Sequence, residues 1–331
     1  MLEASSIGNG RSEMFIIAEI GNNHEGDIEY AKDAIVAASE SGADAVKFQA
    51  IRARQLVNAQ LRPQRAEVLE GFEFTIDQYG ELYSCARDRN VQFGLSFFDS
   101  DTCSQMDVVD FAKIASSDHD NEPLIRSVLE RYSRVIISTG MMSGDSSRRL
   151  NQAINDRPDV ILMHCVSMYP TAVEDASLDL IDDLSALGHP VGYSDHTDDL
   201  FISLLALAKG CRYFEKHFTL SKTGGTLRDH SLSSTPDEFR AYCSMLRKYE
   251  QAVTRMSLAD RPEFRSDDYL ESRQSVYLTR TMDGGEVIES KDLVLQRPRL
   301  SDAFHSVDQV LGRKLNSRVE RGKPILIEDL S

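Results

Sequence analysis

Short, almost wholly apolar runs recur along most of the chain. Each gives way to a segment whose apolar positions are spaced for a helix. Met14-Phe15-Ile16-Ile17-Ala18-Glu19-Ile20 is the first run, and Gly21 to Gly26 read as a loop. Asp27 is placed to cap a helix with Ile28, Ala31, Ile35 and Ala38 along one face, and Gly42 to stop it. Ala45-Val46-Lys47-Phe48-Gln49 is the next strand, which completes a βαβ unit. After a less regular insertion over 52–75 the rhythm resumes with a helix over 77–89. Strands are predicted over 91–97, 111–114, 134–140, 160–165, 190–193 and 212–214. Helices are predicted between them over 101–109, 121–131, 145–155, 177–186 and 200–209. Pro236 opens a last amphipathic helix running to about 256.

Eight strands, each followed by a helix, and each apolar enough to be covered on both faces, predict a (β/α)8 barrel of the TIM type. A doubly wound open sheet is the alternative; it explains the apolar strands but not the number eight. Beyond 257 the pattern changes. Residues 258–272 are polar and read as a linker. Residues 273–331 read as a small β-rich module, with Ser275-Val276-Tyr277-Leu278 as a strand and turns at Met282 to Glu286 and Glu320 to Lys323. So small a module is marginal alone and is expected to dock on something. The catalytic part is then 1–257.

The 331 residues are 41% hydrophobic and 27% charged, as in ordinary globular chains. A net charge of −16 argues against a broad nucleic-acid-binding face. Residues 1–14 lack an apolar signal core, and no run of about 18 apolar residues marks a membrane span. Cys85, Cys103, Cys165, Cys211 and Cys243 are odd in number and form no CxxC, which suits reduced thiols in a cytoplasmic protein.

In a parallel barrel the carboxyl ends of the strands carry the chemistry. Here those ends hold Glu19, Lys47, Gln49, Ser96, Lys113, Ser116, Ser138, Ser194, His196, Glu215 and His217. Lysines inside short apolar strands are costly to bury without a partner. Lys47 and Lys113, converging with hydroxyls and helix N-termini, predict a phosphate or carboxylate pocket. His196 and His217 each follow a strand; on neighbouring strands they would sit side by side and could hold a divalent metal with open positions. Two unrelated surface histidines are the plain alternative.

The sequence resembles the sialic acid synthases. The resemblance is carried by Ala18-Glu19-Ile20-Gly21-Asn22-Asn23-His24-Glu25-Gly26, Val46-Lys47-Phe48-Gln49, Lys113-Ile114-Ala115-Ser116 and Ser138-Thr139-Gly140-Met141. It continues through His164-Cys165 to Tyr169-Pro170-Thr171, Tyr193-Ser194-Asp195-His196-Thr197 and Glu215-Lys216-His217-Phe218. It implies a barrel followed by an antifreeze-like (SAF) domain, in a domain-swapped homodimer. It implies phosphoenolpyruvate and an N-acylated aminohexose as substrates, and manganese or magnesium as cofactor on His196 and His217. Glu19, Glu215 and His217 are the implied catalytic set. Lys47, Lys113, Ser116, Ser138 and Ser194 are the implied phosphoenolpyruvate contacts, and Gln49, Asp118, Tyr169 and Asp229 the implied sugar contacts.

The departures from the family pattern are mostly on the sugar side. Ser96 stands for a threonine, Ser167 for an asparagine and Asp118 for a glutamate. Leu227-Arg228-Asp229-His230 stands for Gly-Pro-Asp-His, and the segment 52–75 is short. In the terminal module Arg273 lies beside the position of a family arginine, which is Gln274 here. These changes suggest an altered sugar rather than lost catalysis. The other class of reading is a non-catalytic sugar- or phosphoenolpyruvate-binding homologue.

Overall fold

The computed structural model describes residues 14–253 and 267–330. It divides into two compact units, Met1–Thr254 and Arg255–Ser331. In the first, eight parallel strands close on themselves in sequence order: β1 Phe15–Gly21, β2 Ala45–Ala50, β3 Gln92–Phe97, β4 Phe111–Ile114, β5 Val135–Ser138, β6 Ile161–His164, β7 Val191–Asp195 and β8 Tyr213–His217. β1 pairs with both β2 and β8, so the sheet is a barrel and not the open doubly wound alternative.

Side chains alternate between the two faces of each strand, and the two faces differ in chemistry. Ile16, Ala18 and Ile20 point to the helical layer and join the main core with Ala31, Ile35 and Ala38 of the helix Ile28–Glu40. Ile17, Ala45, Phe111, Ile136, Ile161 and Met163 fill a separate apolar cluster, the floor of the barrel interior. The next inward position on β1, β2, β4 and β8 is charged: Glu19, Lys47, Lys113 and Glu215. The register aligns them, with Glu19 opposite Lys47 on one side and opposite His217 on the other.

Helix starts follow local rules. Asp27 caps its helix through the amides of Glu29 and Tyr30, and Thr75 and Glu238 each take part in a capping box. The helix expected over 101–109 is Ser100–Gln105, and that expected over 177–186 is Leu180–Ser185. The insertion at 52–75 holds two helices, Ala53–Leu56 and Pro63–Glu70. Strands β7 and β8 run on to Asp195 and His217, further than their apolar runs suggested. Of the expected linker, 258–266 lies outside the described residues, and Asp267–Ser272 is helical.

The second unit pairs β9 (Ser275–Leu278) antiparallel with β10 (Leu293–Gln296). Val276, Leu278, Met282, Ile288, Val310, Leu315 and Ile325 form its own small core.

The barrel floor depends on a missing side chain. A Cβ on Gly94 would lie 2.1 Å from Cζ of Phe111. Gly94→Ala is therefore expected to lower the unfolding free energy of the barrel by about 1–3 kcal/mol through overpacking. Adding Phe111→Leu should recover part of that loss. Chemical denaturation of the two variants measures both effects; additive losses would contradict the contact.

Candidate active site

One cavity of about 280 Å³ opens at the carboxyl end of the barrel. Glu19, Lys47, Gln49, Ser96, Lys113, Ser116, Ser138, Ser167, Tyr169, Ser194, His196, Glu215, His217 and Asp229 all line it. Residues from every strand or the loop just after it thus converge, as the alternation of the strands requires. A larger groove of about 890 Å³, lined by Lys32, Asp77, Glu81 and Asp88 among others, has no such convergence, and Lys32 there is already paired with Glu29 and Glu81.

The centre of the cavity is a buried four-charge cluster. Lys47 Nζ lies 2.5 Å from Glu19 Oε2, donates to Ser96 Oγ at 2.7 Å and lies 3.9 Å from Glu215 Oε2. Lys113 Nζ donates to Glu215 Oε1 at 2.5 Å, and Ser194 Oγ donates to the same oxygen at 2.9 Å. Burial pushes both carboxyl groups up, but the two differ in what opposes it. Against burial, Lys113 and Lys47 hold Glu215 well below the usual carboxylate range. Glu19 stays raised by burial and by the nearby Glu215 charge, against the pull of Lys47. Glu19 is therefore the member of the pair that takes up a proton first.

Along the wall beyond Lys113, Ser116 Oγ accepts from the Gly140 amide at 3.1 Å and meets Cys165 Sγ at 3.1 Å. Burial raises the Cys165 thiol above its ordinary value, which keeps it protonated. Ser138 is buried beside these groups, and Ser167 Oγ has no hydrogen-bond partner among the described residues. On the opposite side Gln49 accepts from Asn22 at 2.7 Å and donates to Glu19 Oε1 at 3.4 Å.

His196 and His217 sit with ring centroids 5.5 Å apart, and Tyr169 lies over His196 at 4.4 Å. The imidazoles are thus side by side, which removes the reading of two unrelated surface histidines. Burial lowers His196 to about 3, helped by His217, and burial lowers His217 to about 4, so both rings are neutral near pH 7. His196 Nδ1 lies 2.7 Å from the Val166 carbonyl, which can only accept, so that nitrogen carries the proton. Its Nε2 lone pair faces Ser194 Oγ at 3.3 Å, but the single Ser194 proton is used on Glu215. Among the described residues His217 Nδ1 is buried without a hydrogen-bond partner. Two neutral imidazoles with uncommitted nitrogens are the donor chemistry a divalent metal requires. Among the described residues no group of three or more His, Cys, Asp or Glu is placed to enclose an ion. The pair therefore fits an open site, in which other positions belong to water or substrate.

One expected residue of the barrel lies elsewhere. Asp118 does not line the cavity; its carboxylate accepts from Ser117 Oγ at 2.6 Å and Asn121 Nδ2 at 3.4 Å within its own turn. Arg273 lies in the second unit, its guanidinium 5.6 Å from the Tyr269 ring. The structure also adds Phe98, Ala115, Ser117, Met141 and Cys165 to the cavity wall. Met141 and Cys165 fall inside the motifs quoted above; Phe98 had no signal beyond following a strand.

A closed parallel barrel with buried lysines, hydroxyls and two neutral histidines at its carboxyl rim places the chain in the (β/α)8 class. The chain belongs to the NeuB family, whose model matches residues 34–257, and the SAF domain model matches 273–331. Over 96% of this chain and 94% of the relative, it is 32% identical to N,N'-diacetyllegionaminic acid synthase of Legionella pneumophila. Over 74% of this chain and 72% of the relative, it is 35% identical to N-acetylneuraminate-9-phosphate synthase of Mus musculus. The crystal structure of N-acetylneuraminic acid (sialic acid) synthetase from Leptospira borgpetersenii serovar Hardjo-bovis in complex with citrate is similar, with TM-score 0.71 and 30% identity, covering 78% of this chain and 92% of that one.

Glu215 counters both lysines. Glu215→Ala leaves Lys47 with Glu19 alone and Lys113 with no carboxylate. Breaking a buried pair from one side is expected to destabilise the barrel by about 3–5 kcal/mol, read by chemical denaturation in buffer free of multivalent anions. A loss under 1 kcal/mol would show that the cluster is not held by this carboxylate.

Proposed function

We propose that the protein condenses phosphoenolpyruvate with the open-chain aldehyde of an N-acylated aminohexose, giving a nine-carbon 2-keto acid and inorganic phosphate. The observation that carries this reading is the joining, in one cavity, of the Lys47–Lys113 anion cluster with the His196–His217 pair. The names of the relatives support it: they are synthases of legionaminic, N-acetylneuraminic and pseudaminic acids, the second as its 9-phosphate.

Lys47 and Lys113, with Ser116, Ser138 and Ser194, bind and orient the phosphate and carboxylate of phosphoenolpyruvate. His196 and His217 are the residues that would hold a divalent metal, manganese or magnesium, which supplies Lewis-acid polarisation of the aldehyde oxygen when bound. The C3 carbon of the enol then adds to the aldehyde carbon, forming the new carbon–carbon bond, and the aldehyde oxygen takes a proton from Glu19. Water adds at C2, and Glu19 takes the proton that this water gives up. The C2–O bond to phosphate breaks, phosphate leaves with the second proton of that water, and C2 becomes the ketone. Gln49, Tyr169, Ser167 and Asp229 meet the hydroxyl and amide groups of the sugar. The sugar is N-acetylmannosamine or a 2,4-diacetamido-trideoxy hexose. The soluble homodimer implied by the resemblance, with Arg273 serving a neighbouring subunit, belongs to the same proposal.

Phosphate release from phosphoenolpyruvate with Mn2+ and a panel of N-acylated aminohexoses tests the reaction. Turnover with at least one acceptor is expected. Ligand binding without release on any acceptor would leave the non-catalytic homologue standing instead. His217→Ala is expected to abolish release and to weaken Mn2+ binding in a direct titration; full activity without metal would refute the role given to the pair.

The homodimer has its own test. Removal of residues 273–331 should abolish turnover and leave a barrel that still unfolds cooperatively. Mixing it with a full-length Lys113→Ala subunit should restore some activity if modules are exchanged. Unchanged kinetics in the truncated protein would sink the exchange.

A further inference from the structure

Strands β7 and β8 carry a second pair of charges, on the face turned away from the cavity. Ser194, His196, Glu215 and His217 line the cavity, so the residues between them, Asp195 and Lys216, point into the helical layer. Asp195 is 1% exposed and Lys216 4%. Their neighbours on that face, Tyr193, Phe214 and Phe218, belong to the main apolar core. Lys216 Nζ donates to Asp195 Oδ2 at 3.0 Å and to the Thr197 carbonyl at 2.8 Å, and lies 5.6 Å from the centre of the Tyr242 ring. Asp195 Oδ1 accepts from the Thr197 amide at 2.9 Å. Ser203 Oγ, from the helix Ile202–Ala208, donates to Asp195 Oδ2 at 3.1 Å. Tyr242, from the helix Pro236–Glu250, is therefore the donor in its 2.9 Å contact with Ser203 Oγ.

Stability does not account for an ion pair in that layer, since replacing such a pair by well-packed apolar residues is often neutral or stabilising. What the pair holds is backbone. The β7–β8 ladder ends at Asp195 and Lys216, and His196 lies one residue past it. The Asp195 carboxylate closes a turn onto the Thr197 amide across His196. Lys216 then ties the carbonyl of the same Thr197 back to β8, beyond the end of the ladder. Lys216 is itself the residue before His217. One buried ammonium thus joins the two backbone segments that carry the imidazoles. From the other side, the His196 carbonyl accepts from the Thr171 amide at 2.9 Å, and its ring Nδ1 donates to the Val166 carbonyl at 2.7 Å.

We propose that Lys216 and Asp195 are positioning residues for the histidine pair: from outside the barrel they fix the spacing and angle at which His196 and His217 present their nitrogens to a divalent cation. The inference rests on the metal role given to that pair above. Among the described residues no cluster of three ligating side chains encloses the site, so nothing else corrects an error in the spacing of the two rings. A metal held in this way depends on the groups that orient its ligands, and losing one typically costs about 10–100-fold in affinity. The strand ladder cannot supply that hold for His196, which lies past its end. It comes from the two charged side chains on the reverse face.

The test is direct titration of Mn2+ into the full-length protein and its variants, with no substrate present. Asp195→Asn/Lys216→Met removes both charges together, so no ion is left unpaired, and asparagine keeps an oxygen for the Thr197 amide. What is lost is the tie to the Thr197 carbonyl. Mn2+ affinity is expected to fall by roughly tenfold or more in a protein that still unfolds cooperatively. Lys216→Arg keeps a cation for the same partners and should retain most of the affinity. If the double variant does not fold, Lys216→Gln replaces it: the shorter neutral amide withdraws from the Thr197 carbonyl, while Thr197 and Ser203 still donate to the Asp195 carboxylate. Unchanged Mn2+ affinity in the folded variant overturns the proposal. Nitrogen-15 spectra of the histidine rings, recorded without metal, give a second reading. The His196 Nδ1–H signal is expected to hold in Lys216→Arg and to shift or broaden in the double variant. If the unsubstituted protein binds no Mn2+, the metal role alone has failed, and the ring spectra decide: a displaced His196 signal supports the positioning, and an unchanged one overturns it.

Discussion

Removing an ammonium or a carboxylate from water costs several kcal/mol per ion even after relaxation, so four such groups at the centre of a barrel persist only by compensating one another. Glu19, Lys47, Lys113 and Glu215 do so over contacts of 2.5 to 3.9 Å. They stand on an apolar floor of Ile17, Phe111, Ile136, Ile161 and Met163, which excludes water from below. Each is carried by a strand hydrogen-bonded on both sides, so the cluster cannot relax by moving one element alone. The same arrangement fixes protonation. Glu215 is held charged by two lysines, and Glu19, with less compensation, is left as the group that can exchange a proton. The histidines depend on the cluster as well: Glu215 takes the Ser194 proton, and so leaves His196 Nε2 without a donor.

Much of this was legible in the sequence, for identifiable reasons. Strands covered on both faces read as apolar runs, which made eight repeats countable. Lys47 and Lys113 were conspicuous because each interrupts such a run. The same rule misjudged where β7 and β8 end. Polarity is the ordinary signal for leaving a strand, but inside a barrel the upper interior layer is itself polar. Ser194, Glu215 and His217 therefore remain on the ladder, Asp195 and Lys216 stay with them by pairing at 3.0 Å on the helix-facing side, and only His196 lies beyond it. Asp118 shows the converse limit. A carboxylate just after a strand suggests a rim contact, yet its 3-10 turn uses it locally through Ser117 and Asn121.

Strands and loops divide the chemistry according to how much positional error each step tolerates. Bond formation needs reacting groups fixed to within fractions of an ångström, which strand-borne side chains provide. The walls beyond the rim come instead from the segments after β2 and β8. Those segments are not loose, however. Glu25 accepts from the Thr226 and Leu227 amides at 2.5 and 2.7 Å, and Asn23 donates to the Phe218 carbonyl at 2.9 Å and Ser233 Oγ at 3.0 Å. Gly26, at φ +87°, passes so close to the Gly71 carbonyl that a Cβ would lie 2.1 Å from it. The loop after β1 thus ties both segments to the strand that carries Glu19. Side chains of 52–75 and 226–229 can then change while the backbone that aims them, and the charge cluster beneath, stay as they are.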